Sequence, residues 1–168
     1  MFGFFLPALE VRAESESSPN PSQSKDYELM AGTLIPAKNG LDQTIPGWGA
    51  RLSLPTAKGV FEPSFFCGKG NAITYNTASF DYRLDIPVDP LFIHFLIGLH
   101  ADQYGQGPPD SRSALFTGGW EFGGGAMIQL VDRFFMRFDF RDRFSPGNVL
   151  EVTVGLSYRI PSEASGGG

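Results

Sequence analysis

The run from Arg133 to Phe144, RFFMRFDFRDRF, sorts into two lists when every second residue is taken. Phe134, Met136, Phe138 and Phe140 fall on one face; Phe135, Arg137, Asp139, Arg141 and Arg143 fall on the other. A period of two is the period of a strand, because successive side chains leave opposite sides of the pleat. The segment Val149–Ile160 repeats the split, with Leu150, Val152, Val154, Leu156, Tyr158 and Ile160 opposite Glu151, Thr153, Ser157 and Arg159. Further strands are predicted at Tyr27–Ile35, Trp48–Leu54, Gly59–Cys67, Ile73–Ile86, Leu91–Ala101 and Ala114–Leu130. On Ile73–Ile86, Ala78, Phe80, Tyr82, Leu84 and Ile86 oppose Ser79, Asp81, Arg83 and Asp85. On Leu91–Ala101 the odd positions are apolar, while His94, Gly98 and His100 lie opposite. The first strand alternates weakly, and Pro63 in the third predicts a bulge because proline removes a ladder donor.

The connections alternate in length. Those at 36–46 and 102–113 are long; those at 55–58, 87–90 and 131–132 are short, as are the links at 68–72 and 145–148. Five glycines between Gly118 and Gly125 permit the close approach and bending that a closing sheet needs. The expected architecture is all-β, an eight-stranded antiparallel up-and-down transmembrane β-barrel.

The polar faces collect Arg51, Glu62, Asp81, Arg83, Asp85, Glu121, Arg137, Asp139, Arg141, Glu151 and Arg159, with acids and bases nearly balanced. The apolar faces hold almost no charge, Asp142 near a strand end being the exception. A water-soluble ligand-binding barrel would invert this, with an apolar lumen and a charged outer wall. The expected site is therefore a lumen ion-pair network of Arg51, Glu62, Asp81, Arg83, Glu121, Arg137, Asp139, Arg141 and Glu151. Counting outward from the turns makes Arg141 its hub, shared by Glu121 and Glu151, with Asp139 meeting a base from farther around the ring.

Composition fits a barrel of this kind. Sixteen Phe and 21 Gly accompany a mean hydropathy of only -0.09, which alternation produces by averaging. The net charge of -5 argues against a nucleic-acid partner. Cys67 is the only cysteine, so no intrachain disulfide forms. No run reaches the roughly 18 apolar residues of a spanning helix. Residues Phe2–Leu9 are apolar and precede Val11-Arg12-Ala13, a pattern like a signal-peptidase site, so 1–13 reads as a truncated signal peptide without its basic n-region. The alternative is a disordered apolar N-terminus. A disordered polar leader at 14–26, the barrel at 27–161 and a flexible tail at 162–168 complete the expected organisation.

The glycines Gly123–Gly125, the string Arg137-Phe138-Asp139-Phe140-Arg141-Asp142, Asn148, and Val154-Gly155-Leu156-Ser157-Tyr158 resemble the last two hairpins of small outer-membrane barrels related to the OmpA transmembrane domain. The resemblance covers roughly Tyr27 to Ile160. It implies residence in the bacterial outer membrane, insertion by the barrel-assembly machinery, and contact with outer-membrane lipids and lipopolysaccharide. The chain departs from that family at its end, where Pro161 and a Ser- and Gly-rich tail follow Ile160 in place of a terminal aromatic.

Catalytic chemistry finds little support. His94 and His100 share the polar face of the fifth strand, Asp102 follows, and Ser111 and Ser113 lie across the loop. No His-x-Ser-Asn string occurs, and no nucleophile can be set beside either imidazole. His94 reads as a hydrogen-bonding lumen residue, and His100 with Asp102 offers too few ligands for a metal. Gly68-Lys69-Gly70 lacks phosphate-loop spacing and reads as a turn. Trp48, Phe116, Trp120, Phe144 and Tyr158 read as interfacial girdle residues. No catalytic residue, metal or cofactor is expected. The expected role is structural or surface-interacting, the alternative being a lipid A deacylase-like hydrolase with His100 as base.

Overall fold

The computed structural model describes residues 25–38, 43–71, 73–106, 113–145 and 148–160. The expected signal peptide, most of the leader and the tail lie outside the described residues, as does Ser111. Eight strands follow in order: β1 Lys25–Lys38, β2 Ile45–Pro55, β3 Val60–Lys69, β4 Ile73–Val88, β5 Leu91–Gln106, β6 Ser113–Val131, β7 Phe134–Phe144 and β8 Asn148–Ile160. Each pairs antiparallel with its sequence neighbours, and β1 pairs with β8, so the sheet closes on itself. Closure leaves no strand with an unpaired edge.

Strands run further than the alternation predicts. β1 starts at Lys25, two residues inside the segment read as leader, because Asp26 pairs with Arg159 of β8. β1 also reaches Lys38 and β5 reaches Gln106, which shortens the two long connections to 39–44 and 107–112. Gly105 is absorbed because a partner strand on each side satisfies its backbone groups, whereas Pro36 is paired with Val149 of β8 alone. That pairing comes at the cost of a register shift against β8. Pro63 behaves differently from the expectation: no bulge forms. The ladder between β2 and β3 lapses between the Arg51–Ser64 and Leu54–Phe61 pairs, yet its register is unchanged on either side. At the tight turn after β6, Asp132 takes a positive φ of 39°, a conformation that Asp tolerates better than most residues.

The two faces of the sheet carry opposite chemistry. Leu29, Trp48, Phe80, Phe95, Ile97, Leu99, Phe138, Phe140 and Leu156 all point outward and are about half exposed or more. Aromatics gather at the two ends of this band. Trp120 stacks on Phe144 at 4.3 Å between ring centres near one end, and Phe134 meets Tyr158 at 5.2 Å near the other. The inner face is filled instead. Glycines make room for its charged side chains: a Cβ on Gly125 would lie 2.6 Å from Asp139 Oδ1 and 2.8 Å from His94 Nε2.

Two apolar clusters interrupt the inner face. Met30, Leu34, Ile45, Phe66, Tyr75 and Val149 pack together toward the connections at 39–44, 70–72 and 145–147, with Ile73 and Tyr104 against them. Phe92, Met127 and Phe135 pack toward the tight turns at 89–90 and 132–133. The charges lie between these two ends.

Candidate functional site: a charged lumen between apolar ends

All the residues expected in the lumen network point inward, and none is more than 4 % exposed. They form a chain of contacts running across the barrel. Near the tight-turn end, Arg137 grips Glu62 with both terminal nitrogens, at 2.7 and 2.9 Å. This two-pronged geometry matches a carboxylate to the planar guanidinium. Arg83 pairs with the same carboxylate, Ser53 Oγ donates to it at 2.7 Å, and Arg83 also reaches Asp85 at 2.7 Å.

At mid-height Asp139 is held by three donors. Arg51 Nη1 and His94 Nε2 each approach at 2.5 Å, and Arg137 Nε at 3.0 Å. Arg51 comes from β2, 88 residues away in sequence, whereas Arg137 is a base on the same strand as Asp139. Arg51 also bonds Glu28 at 3.1 Å, and Ser157 Oγ donates to Glu28 at 2.9 Å.

The upper group differs from the predicted hub. Arg141 sits 3.4 Å from Glu121 and 4.0 Å from Glu151, but its short contact is Asp81, at 2.7 Å. Arg143 is the nearer partner of both glutamates, 3.0 Å from Glu121 and 2.7 Å from Glu151. It also donates to Thr77 at 2.6 Å and to Tyr75 at 2.9 Å, and Tyr75 passes a hydrogen bond to Asp102 at 2.7 Å. Glu121 stands directly opposite Arg143 in the β6–β7 register, although the closest carboxylate to Arg141 comes from β4. Removing Arg143 should therefore destabilise the barrel more than removing Arg141. Arg143→Met leaves two glutamates short of a partner, whereas Arg141→Met exposes chiefly Asp81. Urea titrations of the two variants in lipid vesicles check this, and a reversed order would contradict the assignment.

Several participants escape a tally of formal charges on alternating faces. Asp26 lies in the Ser- and Pro-rich stretch; its carboxylate takes Arg159 Nε at 2.9 Å and Nη2 at 3.0 Å. The same guanidinium lies 3.8 Å above the Phe135 ring, a cation–π contact that joins the charged middle to the apolar end. Tyr75, Thr77 and Ser79 are neutral yet complete the coordination of Arg143. Their inward parity was the available signal.

Candidate catalytic chemistry is present only in fragments. Ser79 stands opposite His100 in the β4–β5 register, and His100 Nε2 is 3.3 Å from Asp102. Ser79 Oγ accepts from Arg143 at 3.3 Å, and Ser79, His100 and Asp102 are all buried inside the wall, beneath the Phe66–Tyr75 cluster. A nucleophile needs both a free base beside it and a path for its substrate. Among the described residues, no group of three or more His, Cys, Asp and Glu side chains could hold a metal ion. Cys67 is a free thiol on the outer face, partly exposed.

No protein-family model matches the chain, and no curated protein matches it in sequence. Solved structures do match in fold. The N-terminal β-barrel domain of Pseudomonas aeruginosa OprF aligns with a TM-score of 0.63 at 13 % identity, over 80 % of this chain and 97 % of that one. Neisserial surface protein A aligns at 0.64 with 10 % identity, over 82 % and 96 % of the two chains. Ail, the attachment invasion locus protein of Yersinia pestis, aligns at 0.56 with 11 % identity, over 82 % and 97 %. The shared feature is the closed eight-stranded antiparallel barrel of outer-membrane proteins.

Proposed function

We propose that this chain is a non-enzymatic barrel of the bacterial outer membrane, with a structural or surface-interaction role and a lumen filled by ion pairs. The observation that carries the reading is the inside-out distribution of its side chains. Water would be a poor solvent for a wall of half-exposed Phe, Leu, Ile and Val, and a bilayer a good one. The charges are instead turned inward and paired. An eight-stranded ring leaves an interior that side chains can fill, and here both ends of that interior are apolar. That argues against a wide pore and against a substrate pocket in the lumen. A surface role draws on the names of two structural neighbours, one a surface protein and the other an attachment invasion locus protein.

Membrane lipids, lipopolysaccharide and the barrel-assembly machinery are the partners this reading entails. Its test is cell fractionation combined with a heat-modifiability gel. The expected result is recovery in the outer-membrane fraction with a mobility that changes on boiling. A protein found in the soluble fraction without detergent would defeat the reading and favour a ligand-binding barrel. Lipidomic comparison of a deletion strain with its parent bears on the hydrolase alternative: a change in lipid A acylation, restored by the native chain but not by Ser79→Ala, would replace the non-enzymatic reading.

A further inference from the structure

The outward wall carries a depression over β6. Strand β6 presents Gly124 and Ala126 to the outside where its neighbours present rings, and the missing side chains leave a groove of about 460 Å³. Ile93 and Phe95 of β5 bound it on one side, and Phe138 and Phe140 of β7 with Val152 of β8 on the other. A side chain at Gly124 would enter it directly, its Cβ 3.7 Å from the Phe95 ring and 3.8 Å from Phe140. Its volume lies within the range of small-ligand sites. No described charged side chain projects into it from the outer face. One rung above it stands Asp142, paired in register with Phe122 and Leu150, while Gly124, Phe140 and Val152 form the rung of the groove. Two residues along a strand separate Asp142 from Phe140 by about 7 Å. Asp142 has no ion-pair partner among the described residues, although the inward-facing charges on either side of it, Arg141 and Arg143, are both paired.

We propose that the groove holds one acyl chain of a membrane lipid whose head group carries a protonated amine, and that Asp142 receives that amine. This rests on the membrane reading above. An apolar trough ending in a lone carboxylate matches an amphiphile with a cationic group at the head of its chain. A second copy of this barrel fits less well: a two-fold contact lays the same concavity against itself and leaves a void. The occupant is thus a lipid, and the selectivity comes from Asp142.

The experiment uses the whole chain in vesicles of equal parts phosphatidylethanolamine and phosphatidylglycerol. A trace of either lipid carries a nitroxide on its acyl chain. Electron paramagnetic resonance then reads the fraction of each probe held immobile by the protein. The immobile fraction of labelled phosphatidylethanolamine should exceed that of labelled phosphatidylglycerol about threefold, the scale of one partly exposed ion pair. Asp142→Asn should level the two, and Gly124→Leu should lower both by filling the groove. Should Gly124→Leu fail to close by heat-modifiability, Ala126→Phe blocks the same space. Equal immobilisation of the two lipids by the native protein would overturn the proposal. So would a dimer in native mass spectrometry that disappears on filling the groove, since the occupant would then be a second copy. Flotation with the vesicles is scored separately: a protein that floats but shows no lipid preference refutes the groove alone, and one that does not float refutes the membrane reading.

Discussion

Glu62→Gln should lower the stability of the barrel by about 3 kcal/mol in urea titrations from lipid vesicles. Breaking a buried pair by removing one partner typically costs about 3–5 kcal/mol, because the remaining charge stays desolvated. Glu62 is fully buried and answers two guanidinium groups, Arg137 through two nitrogens and Arg83 through one. The expected loss sits at the lower end of the range because Arg83 keeps Asp85 and Arg137 keeps Asp139. A compensating change separates lost attraction from general damage. Arg137→Met added to Glu62→Gln removes the orphaned charge as well as the carboxylate, and should recover part of the loss. A double variant whose loss equals the sum of the two single losses would mean that Glu62 and Arg137 do not act on each other.

The second large effect belongs to the outer wall. Phe138 is 49 % exposed and central on β7, with Phe140 and Met136 continuing the same face. Phe138→Arg should cost about 2–4 kcal/mol if that side chain meets the bilayer midplane, since a guanidinium there must leave water for hydrocarbon. Alternation alone predicts that Phe135→Arg, on the lumen side, is milder. The packing alters that expectation. Phe135 is 2 % exposed, lies beneath the Arg159 guanidinium and packs edge-on against Phe92. A second guanidinium at that position would repel Arg159 and open the apolar end. Both variants should fold poorly, but Arg159→Met should help only Phe135→Arg, whose damage is repulsion between two buried like charges. Folding yields with and without Arg159→Met distinguish them; rescue of Phe138→Arg by that change would contradict the assigned face.

How far the chain could be read before folding depends on what each feature draws upon. The faces of β7 and β8 follow from local alternation, so Phe138 and Arg137 could be assigned to opposite sides from a dozen residues. Strand ends depend on a partner, and Lys25, Asp26 and Gln106 join strands because β8, β4 and β6 stand beside them. Pairings inside the lumen depend on reach across the ring. Arg141 finds Asp81 from 60 residues away, a contact that counting along adjacent strands cannot supply. The apolar ends were hidden for another reason. Leu34, Phe66, Tyr75, Phe92 and Met127 have inward parity, but a tally confined to formal charge passes over them.

The seam between β1 and β8 has a consequence for how the molecule comes into being. Lys25 pairs with Ile160, and Arg159 reaches Asp26 across 133 residues of sequence. The first strand synthesised waits for the last, so a nascent chain cannot complete the ring at any intermediate length. The entropy of joining such distant ends grows only slowly with separation, but contacts this remote make folding slow. Until the seam forms, both outer strands offer unpaired backbone that would template aggregation. Because the start of β1 and the end of β8 lie side by side, a gene permuted to start at one of the tight turns, with those two strand ends linked, should still encode the same ring.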